Sequence, residues 1–426
     1  MQTQQLIQQL QSGACDDRLL DIYVDEARLT YQRERYQNAI HKFEDLYGAG
    51  EVRIFSAPGR SEIGGNHTDH QYGKVLAASI NLDSLAIVRE TNDNSISLVS
   101  EGYREIKLSL NDLTLKESEK ETTLALIKGV AKGFQDRGYQ IGGFKAYVTS
   151  DVLIGAGLSS SAAFEILLGT IFSGLYNDMK VSAVDVAIVG KYAENVYFGK
   201  PSGLLDQMAC SVGSLVYIDF ANPMEPVVEK VEYDVEEAGY SLCITDTKGS
   251  HADLTHEYAA VPNEMKQVAQ YFGKEVLRGL TVNDILEKSN ELRQKFGDRS
   301  VLRALHFIAE NDRVTDEVNA LKANDFATFL SCIKASGDSS YKYLQNVYSN
   351  SDVQHQNVSV ALAVSDMVLP GQGVSRVHGG GFAGTIQAFV RNEYVAEYQK
   401  AMAKVFGEGA CNVLKVRKYG GMEVFQ

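Results

Sequence analysis

The chain has 426 residues, of which 44% are apolar and 23% are charged, and a formal net charge of −14. This length allows one or two large domains with an ample core, and the composition is typical of soluble globular proteins. Because the lysines and arginines are scattered through an acidic chain, and no run of about 18 apolar residues occurs, we expect neither a nucleic-acid-binding surface nor a membrane span.

The first 47 residues are polar, and their apolar residues recur at partial helical spacing up to Gly48 and Gly50. We predict helices here and expect the segment to pack against the rest as an appendage, since it carries no recognisable chemistry. Apolar patterning then predicts the further elements of the first half. One strand begins at residue 53, other strands lie at 75–88, 96–99, 106–110 and 144–148, and a helix lies at 124–134. This half is therefore α+β.

A loop rich in polar side chains follows the break at Pro58-Gly59, where the first strand is interrupted. Carboxylates, amides and imidazoles of this kind bind adjacent hydroxyls of sugars. They stand at Arg60, Glu62, Asn66, His67, Asp69 and His70. A capped turn has a similar pattern, and the histidine spacing is only weak evidence for a metal.

Residues 153–166 form a glycine- and serine-rich turn that opens an apolar helix. Gly155 and Gly157 let backbone N–H groups approach a ligand, and the N-terminal end of a helix attracts anions. The serines at 159–161 can cap the helix, add hydrogen bonds or bind Mg²⁺. The segment lacks the Walker lysine, and an ordinary serine-capped turn has the same pattern. The loop is therefore a candidate phosphate site.

A helix is predicted at 184–197, with Glu194 near its end, and a loop then leads to Asp206 among Leu204, Leu205 and Met208. A lone carboxylate in apolar surroundings is either a cap or salt-bridge partner, or a catalytic base. The second half begins near 216 and has predicted strands at 215–220 and 240–246, helices at 256–272, 281–295, 299–310, 314–323 and 325–336, and a strand, glycine loop and strand at 374–390. The five cysteines lack a Cys-x-x-Cys motif, so we expect reduced thiols and a cytoplasmic location.

Four segments in this order resemble the GHMP small-molecule kinase superfamily and, within it, the galactokinase family. They are the galactokinase signature with GNHTD at 65–69, the phosphate motif GAGLSSSAA at 155–163, the base segment GLLDQ at 203–207, and the third motif RVHGGGFAG at 376–384. The resemblance covers about residues 36–426. It implies an α+β fold with a helical extension at 1–35, an N-terminal domain (ribosomal protein S5 domain 2-like) at 36–215 and a ferredoxin-like α/β-plait domain at 216–426.

The resemblance also implies an activity: transfer of the γ-phosphoryl group of ATP, with Mg²⁺, to the anomeric C1 hydroxyl of galactose. It assigns Asp206 as base with Arg60 beside it; Asn66, His67, Thr68, Asp69 and Tyr258 as sugar contacts; Gly155, Ala156, Gly157, Leu158, Ser159, Ser160, Ser161, Gly380 and Gly381 as ATP contacts; and Ser161 with Glu194 as Mg²⁺ ligands. Arg60 can stabilise the sugar alkoxide or keep Asp206 ionised. We expect a monomer or a weak homo-oligomer.

Asn66 departs from the family motif, which has Glu at this position facing the C6 hydroxyl of the sugar. A neutral amide would accept the C6 carboxylate of galacturonate, which a Glu would repel, and the segment Asp69-His70-Gln71 resembles the galacturonokinase branch more than ordinary galactokinases. A galacturonate or other pyranose 1-kinase is therefore the alternative. Some galactokinase relatives are sugar sensors without catalysis, usually through lost residues of the serine-rich motif. Here Ser161, Asp206 and Arg60 are all present, which favours an enzyme.

Overall fold

The computed structural model describes residues 1–152, 157–200, 202–249 and 254–425. Its strands are β1 Arg53–Gly64, β2 Lys74–Glu90, β3 Ser95–Ser100, β4 Ile106–Ser109, β5 Phe144–Ser150, β6 Leu215–Asp219, β7 Val227–Val231, β8 Tyr240–Asp246, β9 Gly373–Val377, β10 Thr385–Arg391, β11 Cys411–Leu414 and β12 Met422–Glu423. The α-helices of the first half are α1 Thr3–Ser12, α2 Asp16–Tyr23, α3 Leu29–Tyr47, α4 Thr123–Asp136, α5 Ser160–Tyr176, α6 Ala183–Tyr192 and α7 Leu205–Val212. Those of the second half are α8 Thr255–Tyr271, α9 Val282–Glu287, α10 Ser289–Phe296, α11 Asp298–Lys322, α12 Phe326–Ser339, α13 Asn357–Val368 and α14 Val395–Phe406.

Eight strands form the first sheet, in the order β12-β1-β2-β5-β3-β4, with β6 paired to β2 and β7 paired to β6. The strand pairs are antiparallel except β3 with β5. Successive side chains of a strand point to opposite faces. Accordingly Phe55 and Ala86 pack on helices α4 to α7, whereas Ile54 and Ile87 pack on α1 to α3. Both faces are covered, which explains why β1 and β2 are buried almost throughout.

The second sheet has the order β11-β8-β10-β9 and is antiparallel. A core shared with the first sheet joins the two halves, because Leu76 and Ile80 of β2 pack with Val318 of α11 and Phe329 of α12. The site described below lies along this junction. The four-stranded sheet with helices agrees with the ferredoxin-like half predicted from the resemblance.

The predicted domain limits differ from where the chain changes sheet. Strands β6 and β7, after residue 215, still belong to the first sheet, and β12 returns to pair with β1 at Phe55 and Ser56. At the other limit, α3 runs across residue 35 as one helix. The N-terminal segment packs on the first sheet, since Leu6, Leu10 and Leu19 are buried in one core with β1 and β2.

Helices of the second half also differ in detail from the prediction. The predicted helix at 281–295 is two helices, and the first begins with a capping box of Thr281 and Asp284. The two predicted helices at 299–310 and 314–323 are one, α11. No Gly or Pro interrupts it, and Phe307, Val314 and Val318 continue the buried side through the polar residues at 311–313.

No helix of the described ranges has both the length and the apolar character needed to cross a membrane. All five cysteines lie in these ranges and are free thiols, as predicted.

Candidate active site

An arginine–carboxylate pair connects the two motifs nearest the predicted base. Arg60 lies on β1, and Asp206 lies in the first turn of α7. Arg60 Nε donates to Asp206 Oδ1 at 2.7 Å, and its Nη1 donates to the Gly157 carbonyl oxygen. The side chain of Arg60 is 11% exposed and that of Asp206 is 36% exposed. The carboxylate is therefore the member of the pair that a substrate can reach.

The backbone of β1 packs directly on the phosphate motif. The Arg60 N–H donates to the Leu158 carbonyl oxygen at 3.1 Å. A Cβ at Gly59 would lie 2.8 Å from that same oxygen, so only glycine allows this approach. The geometry explains why a glycine precedes the arginine in the motif.

Ser159 occupies the N-cap position of α5, as the sequence predicts, but its side chain does not cap the helix. Its backbone is left-handed, with φ 58°, a conformation that non-glycine residues seldom adopt. In this conformation the Ser159 hydroxyl donates to Asp206 Oδ2. Ser159, in its strained conformation, thus binds Oδ2 of Asp206, while Arg60 binds Oδ1 of the same carboxylate.

These contacts determine the charge of Asp206. Burial raises the pKa of Asp206, but the guanidinium of Arg60 and the Ser159 hydroxyl lower it by more, so that the net pKa lies below the ordinary value. Asp206 is consequently ionised at neutral pH. The ion pair is compatible with the predicted role of Arg60 in keeping Asp206 ionised, and the predicted role in stabilising the sugar alkoxide stays open.

A second carboxylate site lies beside the first. Glu194 is buried in a π-helical turn at 193–198, a kind of irregularity that is frequent at functional sites. The Ser161 hydroxyl lies 3.3 Å from Glu194 Oε1, so the structure brings the two predicted Mg²⁺ ligands together. The ammonium of Lys200 lies 2.8 Å from the same oxygen.

Gln207 and Ser202 donate to Glu194, and Gln207 joins it to Glu165, but no pattern in the sequence predicts a role for these three residues. Gln207 Nε2 donates to Glu194 Oε2 at 2.9 Å and to Glu165 Oε2 at 3.0 Å. The Ser202 hydroxyl donates to Glu194 Oε2 at 2.6 Å. Burial and the neighbouring Glu194 raise the pKa of Glu165 well above its ordinary value. The only indication of Glu165 in the sequence is that a carboxylate stands within the apolar run 162–168.

The donor set of this site suits Mg²⁺. Hydroxyl and carboxylate oxygens are the ligands that Mg²⁺ prefers, and the ion usually keeps only one or two protein ligands and takes the rest from phosphates and water. The described residues contain no cluster of three or more His, Cys, Asp or Glu side chains arranged for a metal. Ser161 and Glu194 supply one hydroxyl and one carboxylate, which are donors of the kind that Mg²⁺ takes.

A cleft of about 910 Å³ runs from the start of α5 along β2, β3 and β5. Ser160, Ser161 and Phe164 line one part of it. Apolar side chains line much of the remainder: Leu82, Ile106, Leu126, Val148 and Val152. The predicted ATP contacts Gly155 and Ala156 lie outside the described residues. Within them, Gly157 packs against His378 and Thr385, and Leu158 is fully buried.

The residues of the predicted sugar loop have different surroundings. Asp69 is half-buried and lies against the segment leading to the base, since a Cβ at Gly203 would be 2.6 Å from Asp69 Oδ2. Burial raises the pKa of Asp69. His67 is also half-buried and pairs through Nε2 with the Gly380 carbonyl oxygen at 3.0 Å. Thr68 is buried, and its hydroxyl donates to main-chain carbonyls at 2.6 and 2.9 Å, so it shapes the loop.

Asn66 is fully buried, and its amide is completely used within the protein. Its Nδ2 donates to Glu62 Oε1 at 3.0 Å and to the Gly379 carbonyl oxygen at 2.7 Å. Its Oδ1 accepts from Ser340 at 3.1 Å and from Asn346 at 2.9 Å. Asn66 therefore fastens the sugar loop to the second half, and no donor or acceptor of its amide is left for a sugar in this structure.

The third glycine motif approaches the sugar loop rather than the cleft. The Gly381 carbonyl oxygen accepts from Tyr258 Oη at 2.8 Å, and Tyr258 packs edge-on against Phe382. A Cβ at Gly381 would lie 1.9 Å from the Asn346 carbonyl oxygen, and Gly381 has φ 79°, so both space and conformation require glycine. Burial raises the pKa of Tyr258 to about 12. The structure thus groups Gly380 and Gly381 with Tyr258 and His67, although the sequence analysis assigned the glycines to ATP.

Comparison with known proteins identifies the family signatures in the chain and the relatives that share them. Residues 41–90 match the galactokinase galactose-binding signature, and residues 125–214 match the GHMP kinases N terminal domain. The galactokinase of Glaesserella parasuis serovar 5 is 30% identical over 376 residues, which are 85% of this chain and 91% of that protein. The galactokinase of Actinobacillus pleuropneumoniae serotype 5b is 29% identical over 377 residues, which are 86% of this chain and 92% of that protein.

Solved structures show the same fold. Lactococcus lactis galactokinase, crystallised with galactose, has a TM-score of 0.75 at 24% identity and covers 90% of this chain and 98% of its own. Methanococcus jannaschii mevalonate kinase has a TM-score of 0.61 at 17% identity and covers 86% of this chain and 99% of its own. The predicted GHMP kinase fold is confirmed, and the 30% identity over most of both chains, together with the two matched signatures, shows that the protein belongs to the galactokinase family.

Proposed function

We propose that the protein transfers the γ-phosphoryl group of ATP to the anomeric C1 hydroxyl of galactose, giving galactose 1-phosphate and ADP. The observation that carries the proposal is the accessible carboxylate of Asp206. Arg60 and Ser159 hold it, and it lies between the sugar loop at Asp69 and the phosphate motif at Gly157. Family membership supports the reaction class.

In this proposal Asp206 acts directly on the sugar. Its ionised carboxylate accepts the proton of the C1 hydroxyl as the oxygen bonds to the γ-phosphorus, while the bond between that phosphorus and the leaving ADP oxygen breaks. Because Arg60 lowers the pKa of Asp206, the carboxylate is a weak base. Its main contribution is therefore to orient the hydroxyl and to take the proton late, when the developing bond to phosphorus has made the hydroxyl acidic.

Ser161 and Glu194 would hold Mg²⁺, which neutralises charge on the phosphates when bound. The N-terminal end of α5 would receive the phosphates, since the first N–H groups of a helix lack helical partners. Lys200 adds a cation beside Glu194, and its bond to Glu194 raises its pKa despite partial burial. The site therefore presents positive charge to the phosphates even though the whole chain is acidic.

Weakening the proposed Mg²⁺ ligands should change the metal requirement. We expect Ser161→Ala and Glu194→Gln each to raise the Mg²⁺ concentration for half-maximal turnover by about ten- to a hundredfold. Lys200→Met is the matched contrast, because it removes a cation that shares Glu194 Oε1 and should lower that concentration. Mg²⁺ titrations at fixed ATP measure all three. Unchanged titrations in both ligand variants would remove Ser161 and Glu194 from the metal site.

Part of the case for galacturonate rests on Asn66, and the contacts of Asn66 change that part. A neutral side chain at position 66 would favour a sugar with a charged C6 group only if that side chain faced the sugar. Here all four hydrogen-bonding positions of the Asn66 amide have protein partners. The identity of residue 66 therefore gives no reason to prefer galacturonate, and galactose remains our proposed substrate.

The same contacts revise the expected effect of Asn66→Glu. A glutamate there loses both donors and sets a carboxylate against Glu62, which already pairs with Arg376 at 2.7 Å. We expect the free energy of unfolding to fall by at least about 2 kcal/mol, and turnover of every sugar to fall with it. Adding Glu62→Gln to Asn66→Glu should recover part of both losses. In the double variant the two carboxylates no longer face each other, and the one at position 66 supplies the negative charge near Arg376. Chemical denaturation and kcat/KM of the single and double variants test this. Full tolerance of Asn66→Glu would show that the amide is not bound as described.

An assay of ADP release over a panel of sugars tests the proposed function against its alternatives. We expect turnover with galactose, little with galacturonate, and none with methyl β-galactoside, whose anomeric oxygen is blocked. Galacturonate turnover alone would favour the alternative kinase. Galactose binding without ADP release from any sugar would favour a sensor, although the intact Ser161, Asp206 and Arg60 argue against one.

We further propose that residues 36–215 and 216–426 form the two domains and that residues 1–35 are an extension, while β6, β7 and β12 complete the first sheet across that division. A cytoplasmic location fits the free thiols and the use of ATP. A monomer or weak homo-oligomer remains our prediction.

A further inference from the structure

The N-terminal segment reaches the cleft that begins at Ser160 and Ser161. Arg28 and Tyr31, at the start of α3, are among the residues that line this cleft. The sequence predicts only a packing role for this segment, and the buried core of the segment explains most of its residues. Arg28 and Tyr31 are outside that core and partly exposed, so packing does not account for them.

Both residues contact Asp151, which directly follows β5. Tyr31 Oη donates to Asp151 Oδ1 at 2.7 Å. A guanidinium nitrogen of Arg28 lies 3.5 Å from Asp151 Oδ2, and one of Arg35 lies 3.4 Å from it. Asp151 is only 13% exposed, and Oδ2 has no hydrogen bond, so these arginines balance its charge. The segment thereby holds Asp151 at the end of β5.

The guanidinium of Arg28 lies over the ring of Tyr31 at the cleft. The guanidinium carbon of Arg28 lies 4.6 Å from the centre of the Tyr31 ring. The side chain of Tyr103, 69% exposed, lines the same cleft with no aromatic contact of its own among the described residues. Guanidinium planes and aromatic faces bind bases by stacking, and sequence-independent base binding uses this combination.

We infer that Arg28 and Tyr31, which Asp151 holds in place at the cleft that also contains Ser160 and Ser161, are part of the nucleotide site and contact the base and ribose of ATP. This rests on the proposed use of ATP. Arg28 and Tyr31 are held firmly because α3 is anchored one turn after Tyr31, where Arg35 pairs with the fully buried Asp83 at 2.6 Å. The N-terminal segment is then a third contributor to the active site, beside the two domains.

Calorimetric binding of ADP to the full chain tests the inference without any sugar. We expect Arg28→Ala to weaken ADP binding by about three- to thirtyfold, and Tyr31→Phe, which keeps the ring but loses the bond to Asp151, to weaken it less. In turnover assays the KM for ATP should rise while the KM for galactose stays within about twofold. Arg33→Ala is the matched control, since Arg33 pairs with Asp16 inside the same segment and does not line the cleft.

Thermal unfolding of each variant separates a lost contact from a lost fold. ADP binding that is unchanged in both Arg28→Ala and Tyr31→Ala would overturn the inference. Equal weakening by Arg33→Ala would also overturn it, because the effect would then come from the stability of the segment. A third outcome separates the two proposals. If the wild type binds ADP, Arg28→Ala binds it more weakly, and the wild type phosphorylates no galactose, then the proposed function fails and the inference stands.

Discussion

Replacing Asp206 with alanine is expected to lower kcat by a factor on the order of 10²–10⁴, while the affinity for galactose stays largely unchanged. The carboxylate touches the reacting hydroxyl in the proposed mechanism, whereas the sugar is held mainly by other groups. Asp206→Asn should lose a similar factor, because it keeps the shape and removes the proton acceptor. Steady-state kinetics and galactose binding by calorimetry measure the two effects separately.

Asp219→Asn is a suitable control for this experiment. Asp219 also pairs with an arginine, Arg278, at 2.9 and 3.0 Å, but this pair lies outside the proposed site. The control should keep near wild-type kcat. Near wild-type turnover in Asp206→Ala itself would refute the assignment of the base.

The largest expected effect on stability is at Asp83, a fully buried carboxylate of β2. Arg35 of α3 contacts it at 2.6 Å and Arg417 of the C-terminal segment at 3.1 Å, and Tyr23 of α2 donates to it at 2.8 Å. Asp83→Ala leaves two buried guanidinium groups without their shared carboxylate. We expect the free energy of unfolding to fall by about 3–5 kcal/mol, measured by chemical denaturation.

Asp298→Ala is the matched control, because its pair with Arg293 is exposed and should contribute under about 1 kcal/mol. Burial raises the pKa of Asp83, and Arg35 and Arg417 lower it by more, so the net pKa lies below the ordinary value. Its stabilising effect is thus complete above about pH 4 and is lost as the pH falls through the lower, folded-state pKa. A loss in Asp83→Ala no larger than in the control would contradict this account.

Local pattern was enough to predict much of the architecture. The strands at 75–88 and 144–148 and the helix at 124–134 correspond to β2, β5 and α4, because alternation and helical spacing are properties of short segments. The four ordered motifs led to the family in the same way. They also placed Arg60 and Asp206 in one site, and the two side chains are paired in the structure.

What could not be predicted depends on contacts between distant segments. The Ser159 side chain bonds to Asp206 instead of capping α5, which follows from a left-handed backbone that no local rule indicates. The partners of Asn66 at 340, 346 and 379 are more than 270 residues away in the chain. The chemistry at Arg28 depends on a fold that brings α3 to the edge of the cleft.

The central claim is phosphoryl transfer to the anomeric oxygen of galactose, and the position of the phosphate in the product tests it most directly. The wild-type protein is incubated with galactose, ATP and Mg²⁺, and the product is examined by phosphorus and proton nuclear magnetic resonance. We predict a single sugar phosphate whose phosphorus couples to the anomeric proton, formed by the wild type and not by Asp206→Asn. A phosphate at C6, or a product formed equally well by Asp206→Asn, would contradict the account.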